Sequence, residues 1–281
     1  MERKKITPQD LLAKKPQGKK IIRVVCYDYP MALLADRAGV DSILVGDSVG
    51  MVMMGMPNTM EVTVEEMIYH CRAVMRAVRY ALVIGDLPFL SYQTSIRDAV
   101  YNAGLLMKYG GVDAVKLEGG QEFAPAVEAI VKAGIPVVGH IGLTPQMVSK
   151  LGGFKVQGTD TATARKLVED ALALESAGIF MLSMECVPDR LAQHICQKLA
   201  IPATGIGGGP YTDGQTLNLY DLLGLFDRFT PKFVKKYANL SQEILEALQK
   251  FKEEAEQGIF PGPEHSFHIK DDVLQEVIGK N

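Results

Sequence analysis

The sequence predicts an α/β protein built as a (β/α)8 barrel of the TIM type. Seven short apolar segments recur along the 281 residues, and an eighth, weaker segment follows them. Amphipathic helical segments lie between them, and this alternation is typical of a parallel sheet. A count of eight favours a closed barrel over an open doubly wound sheet, which is the alternative. No G-x-G-x-x-G motif follows the first strand, as a dinucleotide-binding sheet would require.

The predicted strands do not alternate strictly between polar and apolar residues. Strands that are buried on both faces of a parallel sheet have this continuous apolar character. Glycine, aspartate or proline bounds each segment, which predicts where the strands begin and end. The segments are residues 21–27, 42–46, 81–85, 114–117, 136–139, 179–184, 202–206 and, more weakly, 215–219.

Helical segments connect these strands. Thr63 followed by Glu66 three residues later forms a capping box, which predicts a helix start. Gly39, Gly134 and Gly178 each follow an alanine and precede a β-branched residue, which is the expected turn from a helix into a buried strand. We predict helices over residues 30–38, 64–80, 95–109, 122–133, 161–177 and 189–199.

The chain shows no linker and no low-complexity segment, so we predict one domain over residues 1–281. Within it, residues 1–20 form an N-terminal cap, and residues 240–281 form a C-terminal helix and tail that could lie on the barrel or on a neighbouring subunit.

Composition argues against several classes of partner. The net charge is −3 and there is no tryptophan, so we expect neither a nucleic-acid partner nor an anionic membrane surface. The four cysteines are scattered and form no zinc-binding pattern, which indicates reduced thiols. No apolar stretch has the character of a signal peptide or a membrane span. We therefore predict a cytoplasmic protein.

The fourth predicted strand carries two charges. Lys116 and Glu118 are two residues apart, so they point to the same side of the strand. Burying charges is costly unless they are paired, bind a metal or face a polar cavity. A structural ion pair and a functional site explain this pair equally well when it is taken alone.

Ionisable residues also end the neighbouring strands. Asp47, Asp86, His140 and Glu185 each lie at or just after a strand end, as Glu118 does. A barrel brings the carboxyl ends of its strands together, and carboxylates packed side by side repel one another unless a cation lies among them. Carboxylate oxygens without clustered cysteine or histidine suit Mg²⁺. Asp47 and Asp86 are the first-choice ligands, and Glu118 is a third, acting directly or through water.

The remaining charged residues suggest a reaction class. Lys116 is expected to hold a substrate oxygen, with a Schiff-base lysine as the alternative. Glu185 follows an apolar run, so burial should raise its pKa and suit it to accept a proton. His140 either orients a ligand or forms a hydrogen bond in the core. A metal, a lysine and a buried glutamate fit proton removal beside the ketone of a 2-oxo acid, followed by attack of the enolate on an electrophile.

Two loops have open interpretations. The methionine-rich residues 51–56 could form a flexible lid over the site, a loop packed on its neighbours, or both. The late Gly205-Ile206-Gly207-Gly208-Gly209 segment is either a phosphate cradle or a tight strand end that lets a bulky ligand approach, and it contains no lysine or arginine.

The full pattern resembles the ketopantoate hydroxymethyltransferase family, from about Thr7 to about His265. The set of motifs in this order is specific, although each motif alone is not. The resemblance is carried by Gly46-Asp47-Ser48, Tyr69-His70, Asp86-Leu87-Pro88-Phe89, Val115-Lys116-Leu117-Glu118-Gly119-Gly120, Gly139-His140-Ile141-Gly142-Leu143-Thr144-Pro145-Gln146, Gly152-Gly153-Phe154, Val156-Gln157-Gly158, Gly205-Ile206-Gly207 and Asp213-Gly214-Gln215.

This resemblance implies a TIM-type barrel of the phosphoenolpyruvate/pyruvate group. It implies Mg²⁺ held by Asp47, Asp86 and Glu118, with Glu185 as the proton acceptor. It also implies that 5,10-methylenetetrahydrofolate donates a hydroxymethyl group to 3-methyl-2-oxobutanoate, giving 2-dehydropantoate for pantothenate synthesis. Family members are cytoplasmic and often decameric. The residues expected to bind the oxo acid are Asp47, Ser48, Asp86, Lys116 and His140.

Two departures from the family pattern stand near residue 215. Thr212 occupies a position where the family usually has cysteine. Residues 216–221 are more polar than the usual valine-rich segment.

Two alternative functions are considered. A related Mg²⁺-dependent lyase or mutase would typically carry a Lys-Lys-Cys-Gly-His loop, which this chain lacks. A non-catalytic barrel would not need Lys116, Glu118 and Glu185 together.

Overall fold

Eight parallel strands close into a barrel in the order in which they occur along the chain. The computed structural model describes residues 3–279. Each strand pairs in parallel with the next, and β8 returns to β1 with Gly214 opposite Ile21. The predicted barrel is confirmed, including its weak eighth strand. The strands are β1 Ile21–Val25, β2 Ser42–Val45, β3 Leu82–Asp86, β4 Ala114–Glu118, β5 Val137–Gly142, β6 Met181–Glu185, β7 Ala203–Ile206 and β8 Gly214–Asn218.

Helices connect the strands on the outside of the barrel, and apolar residues from both layers form one core. The helices are α1 Pro8–Lys14, α2 Tyr29–Ala38, α3 Val49–Val52, α4 Val64–Ala77, α5 Ile96–Leu105, α6 Ala124–Lys132, α7 Val148–Leu151, α8 Thr161–Ser176, α9 Asp189–Lys198, α10 Leu219–Leu222, α11 Leu240–Glu256 and α12 Asp271–Ile278.

Two helices end more than one residue earlier than predicted. Helix α4 stops at Ala77 because the buried carboxylate of Asp36 accepts hydrogen bonds from the backbone N–H groups of Arg79, Tyr80 and Ala81. These bonds replace the continuation of the helix with a turn into β3. Helix α5 ends at Leu105 and passes into one π-helical turn, Leu106–Gly110.

Strand β5 runs further than predicted and carries His140 inside the strand. The prediction ended the strand at Gly139, because glycine commonly marks a strand end. Here Gly139 lies under the neighbouring apolar side chains, and a Cβ atom at this position would lie 3.0 Å from Ile179 Cδ1 and 3.1 Å from Leu174 Cδ1. The glycine therefore permits close packing, and the strand ends at Gly142, which has a φ of +96°.

The N-terminal segment covers the amino-terminal end of the barrel. Leu11 of α1 is fully buried, and the Lys15 ammonium donates hydrogen bonds to the carbonyl oxygens of Cys196 and Ile201. At the other terminus, α11 and α12 contain no buried residue. The assignment of all 281 residues to one domain with these two additions stays a prediction, and residues 1, 2, 280 and 281 lie outside the described part of the chain. Within residues 3–279, no helix combines the length and apolar character needed to cross a membrane.

Candidate active site

A cavity of about 130 Å³ lies inside the carboxyl end of the barrel. It collects every side chain that the sequence predicted for the site. The predicted residues that line it are Asp47, Ser48, Asp86, Lys116, Glu118, His140 and Glu185. A larger open cleft of about 450 Å³ lies at the opposite end, lined by residues such as Lys15, Lys20 and Tyr211, and includes none of these residues. The converging charges make the smaller cavity the candidate active site.

The ends of β2 and β3 lie close together. The backbone N–H of Asp47 donates to Oδ2 of Asp86 over 3.3 Å. The preceding Gly46 allows this approach, because a Cβ atom there would lie 3.1 Å from Ser48 Oγ and 3.3 Å from Val25 Cγ1. Asp47 and Asp86 are both almost fully buried.

Burial and mutual repulsion shift these two carboxyl groups. Burial raises the pKa of Asp47 well above its usual value, and the charges of Asp86 and Glu118 raise it further. Burial also raises the pKa of Asp86, against the lowering effect of the Lys116 ammonium. The protein alone therefore leaves negative charge at this end of the barrel incompletely compensated.

Lys116 pairs with more than one group. Its ammonium lies 2.8 Å from Asp86 Oδ1, 3.6 Å from Glu118 Oε1 and 3.3 Å from His140 Nδ1. Burial lowers the pKa of Lys116, but the charges of Asp86, Glu118 and Asp47 outweigh burial and raise the pKa above its usual value. Lys116 is thus held as an ammonium ion, which argues against a nucleophilic, Schiff-base role.

His140 connects two glutamates. Its Nδ1 lies 3.3 Å from Glu118 Oε1, and its Nε2 lies 3.4 Å from Glu185 Oε2. These are charge contacts, and Nε2 has no hydrogen-bond partner among the described residues. Burial and the Lys116 ammonium lower the pKa of His140, but the two glutamates outweigh them and raise it to about 9. Burial raises the pKa of Glu118, whereas Lys116 and His140 lower it more strongly, so Glu118 is ionised.

Glu185 faces the cavity from the end of β6. Its side chain is 17% exposed, so it is less buried than the preceding apolar run suggested. The local backbone is tightly fixed. Gly142 packs against the backbone of Glu185, since a Cβ atom at Gly142 would lie 2.2 Å from the Glu185 carbonyl oxygen. Cys186, the next residue, adopts a φ of +49°, which is uncommon for a residue with a side chain.

Gln146 is the main site residue that the sequence analysis did not single out. Its Nε2 donates to Asp47 Oδ2 over 2.8 Å and to the Leu87 carbonyl over 2.9 Å. Its backbone N–H donates to Glu118 Oε2 over 3.0 Å. The Tyr92 hydroxyl donates to its Oε1 over 2.8 Å. Gln146 therefore fixes one oxygen of each of two carboxylates, and the one clue to it is its place in the Gly139–Gln146 motif.

Arg23 is a second residue that was not singled out. It lies in the middle of β1, is 1% exposed and donates hydrogen bonds to the hydroxyls of Ser183, Thr204 and Thr216. Ser183 and Thr216 also line the cavity, so the guanidinium lies beneath the cavity floor. Burial lowers the pKa of Arg23 to about 10, and Asp86 acts in the opposite direction.

Glycines in or beside the two ambiguous loops allow other residues to approach closely. A Cβ atom at Gly50, just before the methionine-rich loop, would lie 2.7 Å from Val62 Cγ2 and 3.1 Å from Met56 Sδ. In the glycine-rich loop, Gly207 allows Phe233 to approach, and a Cβ atom there would lie 2.9 Å from Phe233 Cδ1. Phe233 lines the cavity. Met53 and Met54 of the methionine-rich loop are nevertheless exposed, so both interpretations of that loop stay open. At the glycine-rich segment the bulky group that approaches is the Phe233 side chain.

The carboxylates fit a Mg²⁺ ion that keeps part of its water shell. Among residues 3–279, no three acidic, histidine or cysteine groups form a ready-made metal cage. One oxygen of Asp47 is held by Gln146, and both oxygens of Glu118 lie near other partners. Asp86 also has partners at both oxygens, Lys116 at Oδ1 and the Asp47 N–H at Oδ2. The assignment of Asp47, Asp86 and Glu118 as Mg²⁺ ligands therefore stays a prediction. Mg²⁺ in proteins is commonly held by one or two carboxylates and several waters.

Comparison with known proteins gives the family. The family model described as ketopantoate hydroxymethyltransferase matches residues 5–263. The 3-methyl-2-oxobutanoate hydroxymethyltransferase of Moorella thermoacetica is 59% identical over 266 residues, covering 95% of this chain and 99% of that protein. The chain belongs to the ketopantoate hydroxymethyltransferase family. The predicted family and enzyme class are confirmed, and the non-catalytic barrel is wrong.

Solved structures agree with the fold that this family membership implies. Phosphonopyruvate hydrolase in complex with oxalate and Mg²⁺ superposes with a TM-score of 0.60 at 14% identity, covering 97% of this chain and 95% of that chain. A 2,3-dimethylmalate lyase, described as a PEP mutase/isocitrate lyase superfamily member, gives a TM-score of 0.59 at 15% identity, with 97% and 94% covered. These similarities confirm the TIM-type barrel of the ketopantoate hydroxymethyltransferase family.

Proposed function

We propose that this enzyme is a hydroxymethyltransferase that adds the one-carbon unit of 5,10-methylenetetrahydrofolate to C3 of 3-methyl-2-oxobutanoate and forms 2-dehydropantoate in pantothenate biosynthesis. Water supplies the hydroxyl oxygen of the new hydroxymethyl group, and tetrahydrofolate is released. The observation that carries the proposal is the convergence of Asp47, Asp86, Lys116 and Glu185 in one cavity of a ketopantoate hydroxymethyltransferase family member. The relative from Moorella thermoacetica bears the name of this activity.

Mg²⁺ is the proposed metal, and Asp47 and Asp86 are its proposed direct ligands. Glu118 is the third proposed residue of the metal site and would contact the Mg²⁺ ion through water. Support comes from the raised pKa values of the two aspartates, because a cation among them would relieve their repulsion. When bound, Mg²⁺ supplies a Lewis-acid charge that stabilises negative charge on the oxygens of a 2-oxo acid.

Lys116, Ser48 and His140 are the proposed contacts to the oxo acid. The Lys116 ammonium is fixed between Asp86 and Glu118 and lines the cavity. A fixed ammonium beside the cavity provides a donor for a carboxylate or ketone oxygen. Ser48 contributes a hydroxyl from the next turn after β2.

Glu185 is the proposed proton acceptor. It is the cavity-lining glutamate that lies outside the proposed metal site, and its carboxylate lies 3.4 Å from His140 Nε2. It would remove the proton from C3 of the oxo acid and hold it while C3 attacks the one-carbon unit. His140 lies between the two glutamates, with Nδ1 3.3 Å from Glu118 Oε1 and Nε2 3.4 Å from Glu185 Oε2, and would hold Glu185 in place through charge.

The same proposal includes assembly and location. Apolar side chains on the C-terminal helices are exposed, among them Leu248 at 60% and Val277 at 71%. Further copies of the chain would remove such surface from water, in line with a homo-oligomer and with the decamer that the family resemblance implies.

A cytoplasmic location fits the cysteines, which all lack disulfide partners among the described residues.

The direct test is product formation by the purified protein. We expect 2-dehydropantoate from 3-methyl-2-oxobutanoate and 5,10-methylenetetrahydrofolate in the presence of Mg²⁺, detected by mass spectrometry. Treatment with a chelator should abolish the product, and added Mg²⁺ should restore it. Light scattering on the same sample measures the assembly. A metal-loaded, folded protein that forms no product would refute the proposal.

A further inference from the structure

Three side chains form a hydrogen-bonded chain that ends in the cavity. The Asn218 amide donates from Nδ2 to the Tyr27 hydroxyl over 2.6 Å. The Tyr27 hydroxyl lies 2.8 Å from Ser48 Oγ. Tyr27 is fully buried, whereas Asn218 and Ser48 both line the cavity. The hydrogen bonds thus join the end of β8 to the turn after β2, through Tyr27, which lies two residues beyond β1.

The orientation of the Asn218 amide is decided by the backbone. Asn218 is the N-cap of α10, and its Oδ1 accepts a hydrogen bond from the backbone N–H of Tyr220 over 3.1 Å. A backbone N–H is a donor only, so the amide oxygen must face it. The amide nitrogen is therefore the atom that faces Tyr27, and this assignment does not depend on distinguishing oxygen from nitrogen by shape.

The orientation of the Asn218 amide decides which atom donates and which accepts in each of these hydrogen bonds. An amide nitrogen is a donor only, so the Tyr27 oxygen accepts from Asn218. The hydrogen of the Tyr27 hydroxyl then remains for Ser48 Oγ. Once Ser48 Oγ accepts this hydrogen bond, its own hydrogen must point elsewhere. Among the described residues, Tyr27 is the sole hydrogen-bond partner of the Ser48 hydroxyl, and the open space beside it is the cavity.

We propose that Asn218 and Tyr27 are positioning residues that make Ser48 an obligate hydrogen-bond donor to a carboxylate oxygen of the oxo acid. This inference rests on the proposed function. A serine hydroxyl alone donates or accepts with equal ease, whereas a carboxylate only accepts. A fixed direction therefore favours an acidic substrate and removes the cost of reorienting the hydroxyl when the substrate binds.

The polar character of residues 216–221 now has a specific interpretation. Asn218 is one of the polar members of this segment. An apolar side chain at this position could neither donate to Tyr27 nor cap α10. The direction of the Ser48 hydroxyl therefore depends on the asparagine at position 218.

Asn218→Asp is the sharpest test, because it reverses the direction of the hydrogen bonds through Tyr27 while the side chain at position 218 keeps nearly the same shape. Aspartate is a good N-cap, so α10 keeps its cap. A carboxylate at position 218 would accept from the Tyr27 hydroxyl, and Ser48 would then have to donate to Tyr27 instead of the substrate. We expect the KM for 3-methyl-2-oxobutanoate to rise about tenfold or more, with kcat changed by about twofold at most, since a hydrogen bond to a charged group is lost.

A double-mutant cycle separates this effect from the added negative charge. In a Ser48→Ala background there is no hydroxyl to reorient, so Asn218→Asp retains only its electrostatic effect. We expect its effect on KM to be at least about threefold smaller in that background. Tyr27→Phe is the second variant, because it keeps the ring that stacks on Tyr220 with centroids 5.3 Å apart. It should raise KM by less than Asn218→Asp, and its effect should also shrink in the Ser48→Ala background.

Calorimetric binding of the oxo acid to the Mg²⁺-loaded proteins provides a readout that does not depend on turnover, and thermal unfolding identifies variants that fail to fold. Equal effects of Asn218→Asp in both backgrounds, with wild-type activity intact, would overturn the positioning inference alone. A wild-type protein that neither binds nor converts the oxo acid would overturn the proposed function together with it.

Discussion

The Lys116 ammonium lies 2.8 Å from Asp86 Oδ1 and 3.6 Å from Glu118 Oε1. The two charges of β4 are therefore not simply a structural pair with each other. Lys116 is bound most closely by the acid that ends β3, while Glu118 contacts His140 and the backbone of Gln146. The expected division, in which Lys116 acts toward the substrate and Glu118 toward the metal shell, stays a prediction.

Asp86→Ala should abolish high-affinity binding of a divalent metal. The variant lacks a carboxylate that the metal site requires and leaves the Lys116 ammonium without its closest partner. Wild-type protein should gain about 2.7 kcal/mol of stability at a Mg²⁺ concentration one hundred times its Kd. The thermal midpoint of Asp86→Ala should not respond to Mg²⁺.

Asp86→Asn is the matched control for this change, because it keeps the shape and removes the charge. It should behave like the alanine variant. An alanine variant that binds Mg²⁺ and turns over normally would refute the metal assignment.

Lys116 should not form a covalent bond with the substrate. Its neighbouring carboxylates keep it as an ammonium ion, so it is a poor nucleophile toward a ketone. After incubation with 3-methyl-2-oxobutanoate and cyanoborohydride, the intact mass of the protein should remain unchanged. A stable adduct that maps to Lys116 would establish the Schiff-base alternative instead.

Gln146→Met should weaken metal binding by about tenfold to one hundredfold, as is typical when a group that orients a ligand is removed. The change keeps the length of the side chain but deletes the hydrogen bond to Asp47 Oδ2. Mn²⁺ binding followed by electron paramagnetic resonance measures the loss directly. Gln93→Met is the control, because Gln93 contacts the amide oxygen of Gln146 and not the carboxylate. Equal losses in the two variants would argue against a specific role for Gln146.

Asp221 should make stability depend on pH. Burial raises the pKa of Asp221 from 3.8 to about 6, although Lys236 opposes the shift. Between these values the folded state binds more protons than the unfolded state, so this group's contribution to stability falls as pH rises from about 4 to about 6. The loss of stability that comes from ionising the partly buried Asp221 carboxyl is then fully present at pH 7 and absent at low pH.

Asp221→Asn removes this penalty, so its gain in thermal midpoint should be larger at pH 7 than at pH 4. The nearby Asp227 is exposed, and Asp227→Asn serves as the control. A gain that is the same at both pH values would contradict the assignment.

The strand-end residues were predictable because one geometric rule applies to all of them. In a parallel barrel the carboxyl ends of the strands meet, so Asp47, Asp86, Glu118 and Glu185 had to lie near one another once the strands were identified. The boundary error at Gly139 did not disturb this result. That glycine serves side-chain packing within β5, and a single glycine in a sequence does not distinguish packing from a strand end.

The supporting residues were harder to predict. Gln146 is uncharged and lies in a loop, and its partners are 28 to 99 residues away in the chain, so local patterns give no indication of its contacts. Arg23 was visible as a lone charge in an apolar strand, as Lys116 was, but it lies in the middle of β1 rather than at its end. Its partners are hydroxyls on β6, β7 and β8, which only the closed barrel brings together.

The exchange of the C3 proton of 3-methyl-2-oxobutanoate with solvent deuterium tests the central claim most directly. It isolates proton removal from the later transfer step, so it needs Mg²⁺ and no folate. We predict exchange by the wild-type protein, its loss in Glu185→Gln, and normal exchange in the control Glu169→Gln, which changes an exposed glutamate on α8. Exchange that persists at the wild-type rate in Glu185→Gln, or its absence from the metal-loaded wild-type protein, would contradict the account.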